Sequence, residues 1–397
     1  MPLSDKNPQD TSRAFMPYPP APVSHAASGP LSGLSFSVKD LFDVVGYPTS
    51  GGQPLWLALS GIKQRSAPTV QRLLDAGARF AGKTVTDELA FSMTGRNAHF
   101  GSPVNGAAPD RIAGGSSSGS ASAVSHGLCD FALGTDTGGS VRAPANHCGL
   151  IGLRPTHARV SLQGAVDLAP SFDTCGWFAR DIGTFARVAD VLLGDDAAPL
   201  PAKPRLLAPT DVWALLSAPV LGALAAPRAR VEAALGSAKP VAVVLDSFDT
   251  MYWSFRYLQG REAWQSDGAF IERHQPVLGS AVAQRFAWAR GVTDAQVAEA
   301  NAFRTRFRAH LNALLGSDGV LVLPTMPDVA PLASADEEGI ESYRNQATYM
   351  LCIAGLAGLP QLSLPLATRL GAPLGLSLLG PAGSDRSLVR LAERIGS

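Results

Sequence analysis

Three short stretches of this chain carry the side chains best suited to nucleophilic chemistry. Gly114-Gly115-Ser116-Ser117-Ser118-Gly119-Ser120 is an unbroken run of small residues just before a short helical segment, residues 121–126, that ends at Gly127. Such a loop exposes backbone N–H groups and lets the chain pass close to a ligand. Taken alone it fits a flexible turn equally well, and no Gly-Lys-Ser/Thr follows to make it a P-loop. The second stretch is Thr135-Asp136-Thr137-Gly138-Gly139-Ser140-Val141-Arg142. Two glycines directly before a serine let consecutive N–H groups converge near that hydroxyl, which is how backbone alone builds an oxyanion hole. Asp136 and Arg142 flank the serine and can pair to hold the loop in shape. A serine nucleophile needs a base. The seven histidines offer no evident partner: His99, His126 and His147 lie nearest in sequence, and none has an orienting acid. Lys39 is the alternative, because it ends a strand, and burial there holds an amine neutral and basic.

The elements that must position these groups read as an α/β alternation from Leu31 onward. Leu34, Phe36 and Val38 fall on one side of a strand and Ser35, Ser37 and Lys39 on the other. A helix opens at Ser66 and Pro68 with Val70, Leu73 and Leu74 facing inward, and a strand follows over residues 79–81. Residues 131–134 read as the strand that delivers the second serine loop. Residues 1–30, with seven prolines among Ser and Ala, suit an extended arm. Composition shifts near Gly194, and residues 195–316 read as a mostly helical insertion, with a strand-like run at residues 241–245. Its clearest helix spans residues 294–315, capped by Thr293 and Gln296, and Phe303, Phe307, Leu311 and Leu314 repeat at helical spacing. Sheet material resumes at residues 320–324, 362–366 and 374–379.

Composition narrows the function. The chain has 397 residues, 46% of them apolar, and Lys+Arg 33 balances Asp+Glu 33. That apolar share supports a large packed core, and no basic run tracks phosphates, so nucleic acid is not an expected partner. The best membrane candidate, residues 214–226, is broken by Ser217, Pro219 and Gly222, so no membrane span is expected. Cys129, Cys148, Cys175 and Cys352 are too scattered for a CxxC pair and too few for a disulfide scaffold. With no export signal visible at the N-terminus, the expectation is a cytoplasmic protein.

The lysine strand Phe36-Ser37-Val38-Lys39-Asp40, the Gly/Ser loop, and the segment from Gly134 through Ser140 to Pro144 together resemble the amidase signature family in order and spacing, including the 24 positions separating Ser116 from Ser140. The likeness extends through residues 148–156 and 171–174 and resumes near residues 319–327 and 355–360. It implies a mixed twisted sheet covered by helices on both faces, with residues 31–397 as one amidase domain. It also implies a Ser-cis-Ser-Lys triad: Ser140 as nucleophile, Ser116 as the bridging serine in a cis linkage, and Lys39 as base. Thr137, Gly138 and Gly139, with Ser140, match the oxyanion donors, and no metal or cofactor is required. Residues 51–55, 97–101 and 171–181 look most like plant-type indole-3-acetamide hydrolases, which implies a small primary amide with an aromatic or apolar acyl side. Met93, Thr94, Phe172 and Trp177 lie near the signature loops and are the expected pocket residues. Two departures stand out. Ser118-Gly119 replaces the family's frequent Gly-Gly. The arm is also shorter and more Pro-rich than the helices that often precede the lysine strand, which departs from the family's usual homodimer mode. A glutaminase-type subunit of an amidotransferase and a catalytically silent binding protein of the same fold are the rival readings. The pattern Ser60-x-x-Lys63 lacks the companion motifs of penicillin-recognising enzymes.

Overall fold

The computed structural model describes residues 11–396, so the first ten residues of the expected arm lie outside the described residues. Ten strands form one mixed sheet: β1 (Ser35–Lys39), β2 (Arg79–Thr84), β3 (Phe131–Thr135), β4 (Ile151–Arg154), β5 (Cys175–Ala179), β6 (Arg205–Pro209), β7 (Lys239–Val241), β8 (Gly319–Pro324), β9 (Gln361–Arg369) and β10 (Ala372–Leu379). Their order across the sheet is β2-β1-β3-β5-β4-β9-β10-β8-β6-β7. β1 runs parallel to β2 and β3, and β6 parallel to β7 and β8. The centre, from β3 through β5, β4, β9 and β10 to β8, is antiparallel. Every residue of β1, β3, β4, β5 and β8 is buried, which requires cover on both sheet faces.

That cover comes from twelve helices among the described residues: α1 (Pro54–Ser60), α2 (Pro68–Asp75), α3 (Ser118–Ser125), α4 (Arg142–His147), α5 (Ile182–Leu192), α6 (Thr210–Trp213), α7 (Ala218–Leu235), α8 (Phe248–His274), α9 (Ser280–Arg290), α10 (Asp294–Leu315), α11 (Glu337–Ala357) and α12 (Asp385–Ile395). Local chemistry sets their ends. Thr293 and Gln296 form a reciprocal capping box at the start of α10, and Phe303, Phe307 and Leu311 are buried along its inner face. Val70, Leu73 and Leu74 of α2 are buried as their spacing predicts. Gly77 then turns the chain into β2 at φ +89°, a conformation in which glycine pays no Cβ penalty.

The polar side of β1 is buried, as the reading of Lys39 as a base requires: Ser37 and Lys39 are as buried as Phe36 and Val38, because the α3 segment packs there. Two sequence expectations are revised. The strand-like run at residues 241–245 pairs only as far as Val241. Beyond it, the Asp211 carboxylate accepts the backbone N–H groups of Val243 and Val244 at 2.8 Å each, taking the donors a strand would use. The segment 195–316 is mostly helical, yet it also supplies β6 and β7 at the sheet's far edge. The described part of the arm is extended and docked. Met16 donates to the Lys83 carbonyl, Ala14 accepts from Val85, and Tyr18 Oη donates to Asp40 at 2.6 Å.

Candidate active site

Parallel neighbours β1 and β3 end side by side, with Phe36 opposite Phe131 and Val38 opposite Leu133. Carboxyl ends of such strands are where α/β sheets place ligands. The last residue of each strand projects into the same buried space. Lys39 Nζ donates to Ser116 Oγ and to Thr135 Oγ1, both at 2.7 Å, and the lysine is fully buried. Burial drives its pKa down from 10.5 to about 7, and the carboxylates of Asp87, Asp173 and Asp136 limit the fall. An amine at that value exchanges protons at neutral pH.

Ser116 sits where a tight loop passes under β1. The Gly115–Ser116 peptide is cis, as the resemblance implies. Both neighbours of this loop lie too close for a side chain at the glycines. A Cβ on Gly115 would stand 2.3 Å from Asp87 Oδ2, and one on Gly119 would stand 2.4 Å from the Ala14 carbonyl. The loop is held by Asp87 N donating to the Ser116 carbonyl at 3.0 Å and Ser117 N donating to the Ser140 carbonyl at 3.4 Å. Ser117 Oγ bridges to the Thr135 backbone, accepting from its N–H and donating to its carbonyl. The loop then runs directly into α3.

The Ser140 loop turns around one carboxylate. Asp136 is fully buried and accepts from Gly139 N, Val141 N and Arg142 N. It also accepts from Arg142 Nε and Nη2 at 3.0 and 2.8 Å and from Arg154 Nη1 at 3.0 Å. Burial alone would raise its pKa, but the Arg142 guanidinium, with its hydrogen bonds, and Arg154 outweigh that and hold the carboxyl well below the usual range. The Asp136–Arg142 pair is therefore present, with Arg154 as a second counter-ion. The expected oxyanion donors divide. Gly139 N is committed to Asp136 Oδ1 at 2.9 Å, whereas the N–H groups of Thr137, Gly138 and Ser140 carry no hydrogen bond among the described residues. The cause is geometric: the turn after Asp136 folds the Gly138–Gly139 peptide back so that its N–H faces the carboxylate. Thr137 is steadied by its hydroxyl, which donates to Asp173 Oδ1 at 2.6 Å.

Ser140 borders a small cavity whose lining includes the apolar side chains of Phe91, Met93 and Phe255 and the polar side chains of Ser92, Arg256, Gln259, Arg344 and Thr348. Ser92, Arg256 and Arg344 also line a neighbouring cleft of about 570 Å³, together with Thr94, Arg285 and Trp288. Met93 thus borders the serine cavity, and Thr94 lines the cleft. Phe172 and Trp177 do not line either space. Phe172 is buried edge-on to Phe255 beneath the Arg304 guanidinium, and Trp177 is buried in β5, stacked on Phe185. Aromatic residues in a central strand fill the core because both faces are covered. The histidines stand elsewhere: His99 contacts Glu88, His126 the Ser122 carbonyl, and His147 the Tyr343 hydroxyl. Lys63 pairs with Asp43 at the surface.

Sequence reasoning missed Thr135, Arg154, Asp87 and Asp173. Thr135 had a signal, since it ends the strand beside the lysine strand. Arg154 and Asp173 lie in segments that carry the resemblance, but nothing in their spacing gave them a role. Arg256, Gln259 and Phe255 come from α8, in the region where the family likeness was silent. No cluster of three or more His, Cys, Asp or Glu side chains suited to a metal ion occurs among the described residues.

A fold with this lysine–serine–serine-loop arrangement is that of an amide-cleaving hydrolase. Residues 20–217 and 245–389 match the Amidase family model, and the chain belongs to that family; it is an amidase. It is 37% identical to "Amidase 1" of Arabidopsis thaliana, over 95% of this chain and 96% of that protein. It is 31% identical to a glutamyl-tRNA(Gln) amidotransferase subunit of Methanothermobacter thermautotrophicus, over 94% of this chain and 87% of that one. Among solved structures it superposes on one described as a crystal structure of amidase with a TM-score of 0.83 at 32% identity, covering 92% of this chain and 85% of that one.

Proposed function

We propose that the chain hydrolyses a small primary carboxamide to carboxylic acid and ammonia through an acyl-Ser140 intermediate, with Ser116 and Lys39 as the proton relay. The observation that carries this reading is the fully buried Lys39 amine, near neutrality in pKa, 2.7 Å from Ser116 Oγ in the loop bonded to Ser140's backbone. Neutral Lys39 takes the Ser116 proton while Thr135 holds one of its N–H groups. Ser116 takes the Ser140 proton, and Ser140 Oγ bonds to the amide carbon. These two hydroxyls share no hydrogen bond among the described residues, and contacts of this kind tighten when substrate binds. The carbonyl oxygen becomes an oxyanion facing the free N–H groups of Thr137, Gly138 and Ser140. When the C–N bond breaks, the relay returns its proton to the leaving nitrogen, and water, deprotonated by the same relay, cleaves the ester. The apolar wall of Phe91, Met93 and Phe255 suits an aryl or apolar portion of the acyl group.

The likeness to an amidotransferase component favours one second reading, a glutaminase that passes ammonia to a partner. The test is ammonia release by the isolated chain from a panel of aliphatic, aryl and arylacetic amides, together with labelling by a serine-reactive fluorophosphonate. Turnover and labelling that both vanish in Ser140→Ala support the proposal. Hydrolysis retained by purified Ser140→Ala removes the nucleophile, and an isolated chain that labels but cleaves no simple amide favours the glutaminase reading.

A further inference from the structure

The lining of the serine cavity includes polar side chains that an apolar acyl group does not use. Arg256 on α8 and Arg344 on α11 line both this cavity and the larger cleft, and Arg285 on α9 lines the cleft. One carboxylate serves two of them. Glu341 accepts from Arg344 through Nε, at 2.9 Å, and through Nη2, and from Arg285 Nη2 at 3.4 Å. Arg285 also donates to the Phe91 carbonyl at 3.0 Å. Arg256 has no carboxylate partner among the described residues. Its guanidinium carbon lies 4.8 Å from the Trp288 ring centre and 5.8 Å from that of Tyr252. Its only hydrogen bond to those residues is a long one, 3.4 Å, from Nη1 to Tyr252 Oη, and its buried Nε has no partner among them.

Such a guanidinium is positioned but not neutralised. Stacking on aromatic rings fixes its plane and leaves the N–H edge free, the geometry that takes a carboxylate in a paired, planar contact. The other acids of the cleft do not compensate it. Glu88 is engaged by His99 and by the Gly279 N–H, and Glu337 and Glu338 are exposed at the start of α11; none of the three borders the serine cavity. Burial and the neighbouring Arg344 push the Arg256 pKa down, and Tyr252 and the Glu341 carboxylate, acting without a direct ion pair, offset this only in part.

We propose that the amide cleaved at Ser140 carries a carboxylate on its acyl portion, and that Arg256 anchors this group at the passage between the serine cavity and the cleft. The inference rests on the reading of Ser140 as an ammonia-releasing nucleophile, because when ammonia is the leaving group an anionic substituent must reside on the acyl side. The chain between the two functional groups runs along Phe91, Met93 and Phe255. The substrate class is therefore an ω-carboxylated primary amide with an apolar spacer.

The experiment compares kcat/KM for a homologous series from succinamic to adipamic acid with that for the uncharged methyl-ended amides of equal length, using wild type, Arg256→Gln and Arg256→Lys. At least one carboxylated amide should exceed its uncharged counterpart by tenfold or more in wild type. Arg256→Gln should reduce that ratio about 10- to 100-fold, chiefly through KM, the range expected for losing one charge-assisted contact. Arg256→Lys should recover part of it. Wild type alone gives an independent readout: the unreactive dicarboxylates of the same lengths should inhibit competitively, less so as salt rises. A wild-type enzyme that cleaves uncharged amides equally well or better, an Arg256→Gln variant that keeps the wild-type ratio, or dicarboxylates that do not inhibit would each overturn the anion site alone. Absence of both amide turnover and Ser140 labelling would overturn the underlying reading and the anion site with it.

Discussion

Lys39 offers the most discriminating test, since its role depends on a proton. At a pKa of about 7 it is neutral in roughly half the molecules at pH 7, whereas at the ordinary 10.5 only about one in 3,000 would be. The neutral form is the base, so the rate of Ser140 acylation should climb with pH and level off. Between pH 6 and pH 8 the neutral fraction rises about tenfold, with a single inflection near 7. The assay is the second-order rate of fluorophosphonate labelling, which reports the nucleophile before any product-release step. Stability follows a different curve. The unfolded chain holds the Lys39 proton up to about 10.5 and the folded chain only to about 7, so the unfolded state binds more protons between those values. Lys39 therefore makes stability rise with pH across that window and contributes no slope below it. A labelling profile with its midpoint near 7 thus cannot be a shadow of this residue's effect on folding. Lys39→Arg supplies the companion variant, because a guanidinium keeps the charge and does not release its proton. It should label at least a hundredfold more slowly at pH 8. A flat profile from pH 6 to 8, or an arginine variant as fast as wild type, would refute the assignment of Lys39 as base.

Other perturbations test the scaffold. Asp136→Asn leaves the buried guanidiniums of Arg142 and Arg154 without their shared anion and should destabilise the fold by about 3–5 kcal/mol, read as a lower urea midpoint. In wild type the Asp136 contribution is complete above the ordinary carboxylate value of 3.8 and is lost as pH falls through its lower folded value, so acid unfolding should begin earlier in chains lacking Arg154. Gly115→Ala forces a methyl to within 2.3 Å of the buried Asp87 carboxylate and should cost about 1–3 kcal/mol while slowing labelling, because the displaced backbone carries Ser116. Ser118→Ala removes a buried hydroxyl that has no partner among the described residues, and stability should stay level or rise by up to about 1 kcal/mol, read as an unchanged or higher urea midpoint.

How much of this was legible in the sequence depended on whether the signal was local. Thr293 with Gln296 and the spacing of Val70, Leu73 and Leu74 are each written within a few residues, and the structure places them as read. The pairing of Asp136 with Arg142 is six residues long and was visible for the same reason. Contacts that join distant segments left no such trace. Arg154 reaches Asp136 only because β4 and β3 both pair with β5. Arg256 reaches the serine cavity only because α8 packs against α11. A large aromatic ring near a signature loop suits a pocket wall and a core equally: Trp177 is buried within β5, and Phe172 is buried against Phe255 and the Arg304 guanidinium. Gly139 shows the finest limit, since its place in the motif marks it as an oxyanion donor and only the folded turn reveals an N–H committed to Asp136.

Two lysines on neighbouring strands show what separates a reactive amine from a structural one. Lys39 on β1 and Lys83 on β2 are both buried, and Lys83 is paired in register with Val38, the residue before Lys39. Lys83 meets the Asp40 carboxylate at 2.5 Å, with Thr49 Oγ1 and the Pro48 carbonyl completing its shell, so its positive charge is matched on contact. Lys39 meets two hydroxyls and no carboxylate. The acids around it are occupied elsewhere: Asp136 by two arginines, and Asp173 by Thr137 and the backbone of Leu168 and Ala169. Asp87 accepts from Gly95, and burial raises its own pKa. They act on Lys39 through space, strongly enough to keep its pKa from falling further and too weakly to fix the proton in place. The polar face of β1 therefore carries a buried amine whose proton can leave at neutral pH and whose hydrogen-bond partners are the hydroxyls of Ser116 and Thr135.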